Sequence, residues 1–373
     1  MAASVAVLDR WFGTRDRLLS NPRFQRWAAA FPLTRLIARR RARALFDLCA
    51  GFVYSQILLA CVRLRLFDIL QEGPQTTAAL ARRLGLSPDA AARLLRAAAS
   101  LRLVADRGGD RFGLGDLGAA LIGNPAVAAM IEHHALLYAD LGDPVALLRA
   151  ERPDTELARY WPYAGGARPA DLAPARVAAY SALMSASQPL IADDVLDAYS
   201  LKRHRCLLDV GGGEGTFLAA AAARAPNLRM ILFDLPPVAA RAQDRLAACG
   251  LVGRVAVVGG DFLADDLPQG ADVVSLVRVL HDHDDDSVLA ILRAVHRALP
   301  AGGTLLVAEP MSGTPGAEPI GDAYFGMYLL AMGSGRARTP GELEALLRAA
   351  GFSRVALAPT RRPLLTRLMV ANP

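Results

Sequence analysis

Cysteine is scarce in this chain of 373 residues, which contains only four. Cys49, Cys61, Cys206 and Cys249 show no paired spacing, so the sequence gives no sign of a disulfide framework. The first residues also lack a compact apolar segment followed by a cleavage site, so no secretory signal is predicted. We therefore expect a cytoplasmic protein in which the cysteines are reduced and buried as small apolar residues.

The chain also lacks an uninterrupted apolar run long enough to span a membrane. Residues 44–62 are long enough to suggest a membrane-spanning helix, but Asp47, Ser55 and Gln56 interrupt them and Arg63 follows at once. A membrane span needs about 20 mostly apolar residues without such interruptions. The pattern therefore favours a buried helix at a subunit interface over a span.

Positive charge is present but unevenly distributed. The net charge of +6 and the pI of about 9.4 come almost wholly from arginine, and the excess lies in residues 1–45. Aromatic residues such as Trp11, Phe24 and Trp27 are interleaved with these arginines. A basic, amphipathic arm of this kind can lie on an anionic membrane surface, which predicts peripheral contact with the cytoplasmic face. It can equally pack on a partner subunit, and both interpretations stay open.

The length exceeds that of one ordinary domain and suits two. Apolar residues make up 53% of the chain, and because many are alanine the composition predicts a compact, helix-rich enzyme. The predicted organisation is a basic arm at 1–45, a helical module at 46–125, a helical connector at 126–200 and an α/β domain at 201–373.

The module at 46–125 has the pattern of a winged helix. A capped helix at 76–86 is followed by a tight turn, a second helix at 87–101 and two short strands at 104–106 and 111–114. In a DNA-binding protein the second helix would carry polar side chains to base edges, but here only Arg93 and Arg96 are candidates. We expect a dimerisation module that does not bind nucleic acid.

From residue 205 onward, apolar strands alternate with helices. This alternation predicts an α/β fold with a Rossmann-like, doubly wound parallel sheet, and the last two strands suggest an antiparallel edge. Ligands of such sheets bind beyond the carboxyl ends of the strands. The candidate cofactor-binding and catalytic residues named below fall at these ends.

The first strand-to-helix turn of this domain lacks the last glycine of a dinucleotide-binding fingerprint. A dinucleotide-binding fingerprint would place that glycine where Thr216 stands, whereas the glycines here are Gly211, Gly213 and Gly215 behind Asp209. This spacing resembles the Asp/Glu-x-Gly-x-Gly-x-Gly loop of S-adenosylmethionine (SAM) methyltransferases. Asp209, Gly211 and Gly213 are therefore candidate cofactor-binding residues.

Two further carboxylates follow neighbouring strands. Asp234 ends the second strand, where an acid can accept hydrogen bonds from ribose hydroxyls. After the third strand, Asp261 can receive an adenine amino group while Phe262 covers the ring. Together these residues predict a site for an adenosine-bearing cofactor.

His281 follows the fourth strand, at the edge of the sheet where ligands bind. Its imidazole can take a proton from a substrate hydroxyl as a methyl group arrives. His281, His283 and the acids at 284–286 could instead bind a divalent metal. The spacing favours caps for a helix beginning at Ser287, so we expect no metal.

Taken together, these motifs resemble the plant-type, metal-independent, SAM-dependent O-methyltransferase family, and the resemblance covers nearly the whole chain. The segments that carry it are 209–216, 233–236, 260–262, 280–282, 299–303 and 308–310. The resemblance implies a homodimer that uses SAM, with His281 as the general base and Glu309 orienting it. It also implies that SAM contacts Gly211, Asp234, Asp261, Phe262 and Arg278.

The chain departs from the family pattern at two positions. His283 stands where members often have tryptophan, and Ala337 stands where the family's Gly-Arg-Glu-Arg-Thr run has a second orienting glutamate. Loss of that carboxylate removes a partner of the imidazole. We therefore expect His281 to depend on Glu309 or Asp282 alone.

Within the family, residues 22–27 and 41–56 resemble the bacterial carotenoid O-methyltransferases. These methylate a tertiary hydroxyl of an acyclic carotenoid such as hydroxyneurosporene or demethylspheroidene, which implies a lipophilic small-molecule substrate here. A pocket wall for it is predicted from Tyr180, Met184, Phe325, Met327, Tyr328 and Met332, although such a stripe is also typical of an ordinary core. A tetrapyrrole-ring, polyketide or phenol methyltransferase and, more remotely, a SAM-sensing regulator are the alternatives.

Overall fold

The computed structural model describes residues 2–151, 154–161, 184 and 188–373, and the chain divides into two units, Met1–Gly123 and Asn124–Pro373. The first unit is mainly helical. Its helices are α1 (Ala2–Leu19), α2 (Pro22–Ala30), α3 (Arg35–Arg63), α4 (Leu66–Gln71), α5 (Thr77–Leu84), α6 (Pro88–Ser100) and α7 (Asp116–Leu121). Its strands are β1 (Gln75–Thr76), β2 (Val104–Asp106) and β3 (Arg111–Leu114), in the antiparallel order β1-β3-β2.

Capping residues define the helix pair of the winged-helix module. The side chain of Thr76 accepts from the backbone N–H of Ala79, and that of Ser87 from Ala90, so each satisfies a donor at a helix start. Gly85 ends α5 with a φ of 66°, a left-handed conformation that suits glycine. Leucines from α4, α5 and α6 pack beneath β2 and β3. The predicted N-terminal winged-helix domain is therefore confirmed.

Helix α3 is mostly exposed within the single chain, and the burial predicted for it at a subunit interface stays a prediction. Only Leu59 and Cys61 are buried, whereas Leu48 is 81% exposed. Among the described residues, α3 is the one helix long and apolar enough, by length and composition, to cross a membrane. Its C-terminal part packs on the core of the first unit, whereas Phe46, Leu48 and Phe52 are left largely uncovered by the described part of the chain.

The cysteine prediction is wrong for two of the four residues. Cys61 and Cys206 are buried, and burial raises the pKa of the Cys61 thiol to about 12. Cys49 lies on the exposed side of α3, and Cys249 caps the C-terminus of a surface helix, so both thiols are exposed. Residue type alone could not indicate which helix faces remain open.

The second unit contains the large sheet. Its helices are α8 (Pro125–Asp140), α9 (Pro144–Leu148), α10 (Glu156–Tyr160), α11 (188–198), α12 (Thr216–Arg224), α13 (Pro236–Ala248), α14 (Asp285–Ala298), α15 (Gly326–Met332) and α16 (Pro340–Ala349), with a π-helical segment at Pro319–Phe325. Its strands are β4 (Cys206–Val210), β5 (Arg229–Asp234), β6 (Val255–Gly259), β7 (Val273–Val277), β8 (Thr304–Glu309), β9 (Arg354–Ala358) and β10 (Arg367–Asn372).

Seven strands form this sheet in the order β6-β5-β4-β7-β8-β10-β9. Strands β4 to β8 are parallel, and β10 runs antiparallel to both β8 and β9, as the sequence predicted. The chain reverses its direction of winding between β4 and β7, and a crevice forms beyond the carboxyl ends of strands at such a point. The turns after β4 and β7 carry the glycine run and His281.

Both faces of the sheet are covered, which explains the near-continuous apolar strands. On one face Leu208 and Leu276 pack against α14 and α16. On the other face Leu207 and Leu306 pack against α11, α12 and α13. The alternation of side chains along each strand divides the core into these two layers and fixes the site at the strand ends.

Candidate active site

The turn after β4 brings backbone close to the crevice because its glycines take left-handed conformations. Gly211 has a φ of 68° and Gly213 a φ of 57°. A Cβ added to Gly211 would lie 2.8 Å from a methyl group of Val279, so no side chain fits there without displacement. The N–H of Gly213 donates to Oδ2 of Asp234 across 2.7 Å. The loop is therefore tied to the end of β5.

Asp209 lies buried beneath this loop. Its Oδ1 accepts from the hydroxyl of Ser275 at 2.6 Å, while Oδ2 has no hydrogen-bond partner among the described residues. Burial raises the pKa of Asp209 to about 7, although the Ser275 hydrogen bond opposes that rise. A buried carboxylate oxygen without a donor fits a ligand that supplies one, such as the ammonium group of SAM.

Asp234 stands at the end of β5, as predicted for a ribose acceptor. Its oxygens accept from the N–H groups of Gly213 and Leu235, each at 2.7 Å, and each oxygen retains a further lone pair. Burial raises the pKa of Asp234 to about 6, against these hydrogen bonds. A ligand hydroxyl that donates here would stabilise the charged carboxylate.

Phe262 and Asp261 follow β6 on the same side of the sheet. The Phe262 ring meets the ring of His283 edge-on, with centroids 5.4 Å apart, and lies 3.8 Å from the position of a Cβ on Gly211. Oδ1 of Asp261 accepts from the N–H of Leu263 at 2.9 Å. The predicted adenine-binding residues thus lie beside the glycine loop, with an aromatic ring next to the backbone.

His281 is buried at the end of β7, and Glu309 holds it from the end of β8. Nδ1 of His281 lies 2.5 Å from Oε2 of Glu309. Because a carboxylate only accepts hydrogen bonds, Nδ1 carries the hydrogen and Nε2 of a neutral imidazole is left with a lone pair. Oε1 of Glu309 accepts from the N–H groups of Val279 and Leu280, which fixes the carboxylate itself.

A second carboxylate lies on the other side of the imidazole. Oδ1 of Asp282 is 3.1 Å from Nε2 of His281, an ion-pair distance without hydrogen-bond geometry. Burial alone would lower the pKa of His281, but the charges of Asp282 and Glu309 together outweigh it and raise that pKa. Burial also raises the pKa of Asp282 to about 6. The site therefore favours a proton on the imidazole.

Arg278 connects β7 to this turn in an unusual conformation. Its φ of 60° lies in the left-handed region, where non-glycine residues are strained by roughly 1–3 kcal/mol. Its N–H donates to the carbonyl of Ala308 at 2.8 Å, and its guanidinium reaches Sδ of Met184 at 3.5 Å. Its positive charge opposes the rise that burial causes in the pKa of Asp282, so the guanidinium acts on a residue next to His281. Strained residues of this kind are concentrated at functional sites.

The predicted substrate wall separates into two levels of burial. Tyr328 and Met332 are buried in an apolar cluster with Trp161, while Met184 and Met327 are half-buried at its border. The Tyr328 hydroxyl is 2.6 Å from Nε2 of His133 and accepts from the indole N–H of Trp161. The prediction for Tyr180 falls outside the described residues.

Phe325 and Tyr324 join this wall to the imidazole. The Phe325 ring meets the His281 ring edge-on at 5.9 Å, and the Tyr324 hydroxyl lies 2.8 Å from Nε2 of His134. Sequence reasoning missed Tyr324 and His134 because α8 and the π-helical segment are far apart in the chain and neither carries a motif. Burial raises the pKa of Tyr324 to about 12, so it remains a neutral donor.

The acids after His283 belong to α14, which begins at Asp285 with Asp284 as its N-cap residue, slightly earlier than predicted. Asp284 accepts from the N–H of Gly335 instead of capping its own helix. Within the described ranges, no group of three or more histidine, cysteine, aspartate or glutamate side chains is arranged to hold a metal ion.

Two family models match the chain. Residues 138–353 match an O-methyltransferase domain, and residues 46–124 match an O-methyltransferase dimerisation domain. Among curated proteins, demethylspheroidene O-methyltransferase of Cereibacter sphaeroides is 46% identical over 355 residues, which cover 95% of this chain and 93% of that protein. The enzyme of the same name from Rhodobacter capsulatus is 42% identical, covering 95% of this chain and 88% of that protein.

Solved structures agree with these matches. Human N-acetylserotonin methyltransferase in complex with SAM is 25% identical with a TM-score of 0.73, over 89% of this chain and 97% of that one. The calicheamicin-biosynthesis methyltransferase CalO1, bound to SAH, is 31% identical with a TM-score of 0.74, over 90% of this chain and 98% of that one. The similarity therefore extends over both units of the chain.

Proposed function

The chain belongs to the SAM-dependent O-methyltransferase family, and from this premise we propose that it methylates the tertiary hydroxyl of an acyclic carotenoid in spheroidene biosynthesis. It is a SAM-dependent enzyme that acts on a small molecule and forms a homodimer through its dimerisation domain. The observation that carries the carotenoid proposal is the high identity to two demethylspheroidene O-methyltransferases along 95% of the chain.

For the cofactor we assign the crevice at the ends of β4, β5 and β6. Asp234 would accept from the ribose hydroxyls, Asp209 would face the charged amino-acid end, and Gly211 and Gly213 would leave room for the cofactor. Phe262 would cover the adenine ring and Asp261 would receive its amino group. When bound, SAM supplies the methyl group and a positive charge that disappears on transfer.

For the reaction we assign His281 as proton acceptor. Nε2 takes the proton of the substrate hydroxyl, and Glu309 keeps the hydrogen on Nδ1 so that Nε2 is available. The imidazolium that forms lies between the carboxylates of Glu309 and Asp282, which stabilise its charge. A tertiary alcohol is far less acidic than a phenol, so proton removal has to accompany methyl transfer.

For a rod-like hydrocarbon we assign the half-buried part of the wall. Met184 and Met327 are flexible apolar side chains suited to an irregular ligand, and Phe325 excludes water from the imidazole. Tyr328 and Met332 would support this surface from behind, since their side chains are buried.

For the N-terminal arm we propose peripheral contact with the cytoplasmic face of a membrane, where a carotenoid substrate is dissolved. Trp11 is 60% exposed and Leu33 is 80% exposed, among exposed arginines of α1 to α3. The protein should co-sediment with phosphatidylglycerol vesicles. A double variant with Trp11→Ser and Leu33→Ser should bind them more weakly. If the arm packs on the partner subunit instead, the double variant will lose the dimer and neither form will bind vesicles.

The substrate proposal is tested with labelled SAM and a panel of acceptors. We expect label in hydroxyneurosporene and demethylspheroidene and little in chlorophyllide or simple phenols. Label in chlorophyllide or a phenol alone would replace the carotenoid proposal with one of those activities. DNA binding without methyl transfer to any acceptor would support a regulator.

A further inference from the structure

The turn that carries His281 is held by a second segment, Ser334–Thr339, which lies against it. The hydroxyl of Ser334 donates to the carbonyl of Asp282 at 3.1 Å, and the N–H of Gly335 donates to Oδ1 of Asp284 at 3.1 Å. Gly335 has a φ of 79°, and a Cβ there would lie 2.1 Å from the carbonyl oxygen of His281. The two backbones are therefore in direct contact.

Arg338 makes the strongest connection between the two segments. Its side chain is 4% exposed, and its guanidinium donates from Nη1 to the carbonyl of Leu280 at 2.8 Å and from Nη2 to that of His283 at 2.7 Å. These carbonyls lie on either side of the His281–Asp282 pair. The guanidinium therefore holds both ends of the peptide that presents the imidazole and its neighbouring carboxylate.

A carboxylate holds this guanidinium in place. Nε of Arg338 donates to Oδ1 of Asp285 at 2.8 Å, so the buried charge is paired as well as hydrogen-bonded. The guanidinium reaches two carbonyls and a carboxylate from three separate nitrogens in one plane, whereas an ammonium group carries its three donors on a single nitrogen. Removing it would leave the carbonyls of Leu280 and His283 without this donor.

We propose that Arg338 is a positioning residue for His281, acting through the backbone of residues 280–283. Ala337 packs on the apolar cluster around Tyr328, so position 337 supplies no polar contact to the imidazole. The support comes instead from the next residue. This inference rests on the proposed role of His281 as proton acceptor.

Arg336 offers a matched control. It also donates to Asp285, at 2.9 Å, and to Glu342 at 2.7 Å, but its side chain is 42% exposed and those are the acceptors it reaches. Arg336→Gln removes a charge from the same carboxylate without touching the turn's carbonyls. A difference between Arg336→Gln and Arg338→Gln therefore isolates the contacts to the turn.

The experiment measures kcat, the SAM dissociation constant, the melting temperature and the pH dependence of kcat for both variants. We expect Arg338→Gln to lower kcat at least about tenfold with SAM affinity changed by less than about threefold. In this variant the apparent pKa in the pH profile of kcat should move down towards that of ordinary imidazole, because a loosened turn separates His281 from Glu309 and Asp282. Arg336→Gln should keep kcat within about threefold and the pH profile of the native enzyme.

Arg338→Lys covers the case in which Arg338→Gln does not fold. A lysine keeps the charge but carries its three donors on one nitrogen, so we expect a smaller loss of kcat than in Arg338→Gln, with the same direction of pH shift. Native kcat and pH profile in a folded Arg338→Gln or Arg338→Lys would overturn the inference, as would equal losses in Arg336→Gln and Arg338→Gln. His281→Ala tests the role of His281 separately from that of Arg338. If this variant retains turnover, the proposed role of His281 fails, whatever the Arg338 variants show.

Discussion

Nδ1 of His281 and Oε2 of Glu309 lie 2.5 Å apart, and both side chains are buried. This hydrogen bond connects the ends of β7 and β8, two neighbouring strands of the sheet, and leaves Nε2 on the other side of the ring. Charge-assisted hydrogen bonds to an ionised group are about twice as strong as neutral ones. The pair therefore fixes both the tautomer and the orientation of the proposed base.

Glu309→Gln should lower kcat by about 10- to 100-fold, since a neutral amide can still accept from the backbone but no longer stabilises an imidazolium. SAM affinity should stay close to native because Glu309 bonds to Val279, Leu280 and His281 and not to the glycines of the loop. Steady-state kinetics and calorimetry check both values. Glu344→Gln, which removes an exposed carboxylate paired with Arg348, is the control and should have no effect on kcat.

The pH dependence of kcat should reveal the raised pKa of His281. A general base must be unprotonated, so kcat should be low at acidic pH and rise through a midpoint above the ordinary imidazole value of about 6.5. Asp282→Asn removes one of the charges that raise this pKa and should move the midpoint to lower pH. An unchanged midpoint in that variant would assign the titration to another group.

Asp209→Asn should stabilise the cofactor-free protein at alkaline pH. Burial raises the pKa of Asp209 from 3.8 to about 7, so the folded state binds more protons between these values and loses stability as pH rises towards and through 7. Asparagine carries no charge and escapes this loss. At pH 8 the free energy of unfolding obtained from thermal melts should be higher for the variant than for the native protein, by on the order of 1–3 kcal/mol. This difference should shrink as the pH falls towards 4. A gain that is constant with pH would contradict the burial argument.

Asp234→Ala should weaken SAM binding at least about tenfold, because it removes the proposed acceptor for the ribose hydroxyls and the acceptor for the N–H of Gly213. Calorimetric titration with SAM and with its demethylated product measures the effect. Asp244→Ala, an exposed acid on α13, should bind both ligands like the native enzyme. Native affinity in Asp234→Ala would remove the ribose role from this residue.

The architecture and the glycine loop were predictable because their signals are local. Strand β4 and the turn at Gly211 follow from an apolar run that ends at closely spaced glycines, and the capped helices α5 and α6 follow from Thr76 and Ser87. Such patterns depend on neighbours within a few residues, so the sequence expresses them directly.

Other features depend on contacts between distant segments. Ser275 reaches Asp209 across two strands, and Arg338 reaches the carbonyls beside His281 from beyond α15. Nothing next to Arg336 or Arg338 in the sequence indicates that each has acceptors more than 50 residues earlier in the chain. Burial of Tyr328 against Trp161 also had no local signal, because it depends on how α15 packs against α8 and α10.

The central claim, that methyl transfer depends on an imidazole at the end of β7, is tested most directly by His281→Ala. Turnover of the demethylated carotenoid and the dissociation constant for SAM should be measured on the same preparation. The account predicts a loss of turnover of at least about 100-fold with SAM affinity within about threefold of native. Native turnover in a folded His281→Ala enzyme would contradict it.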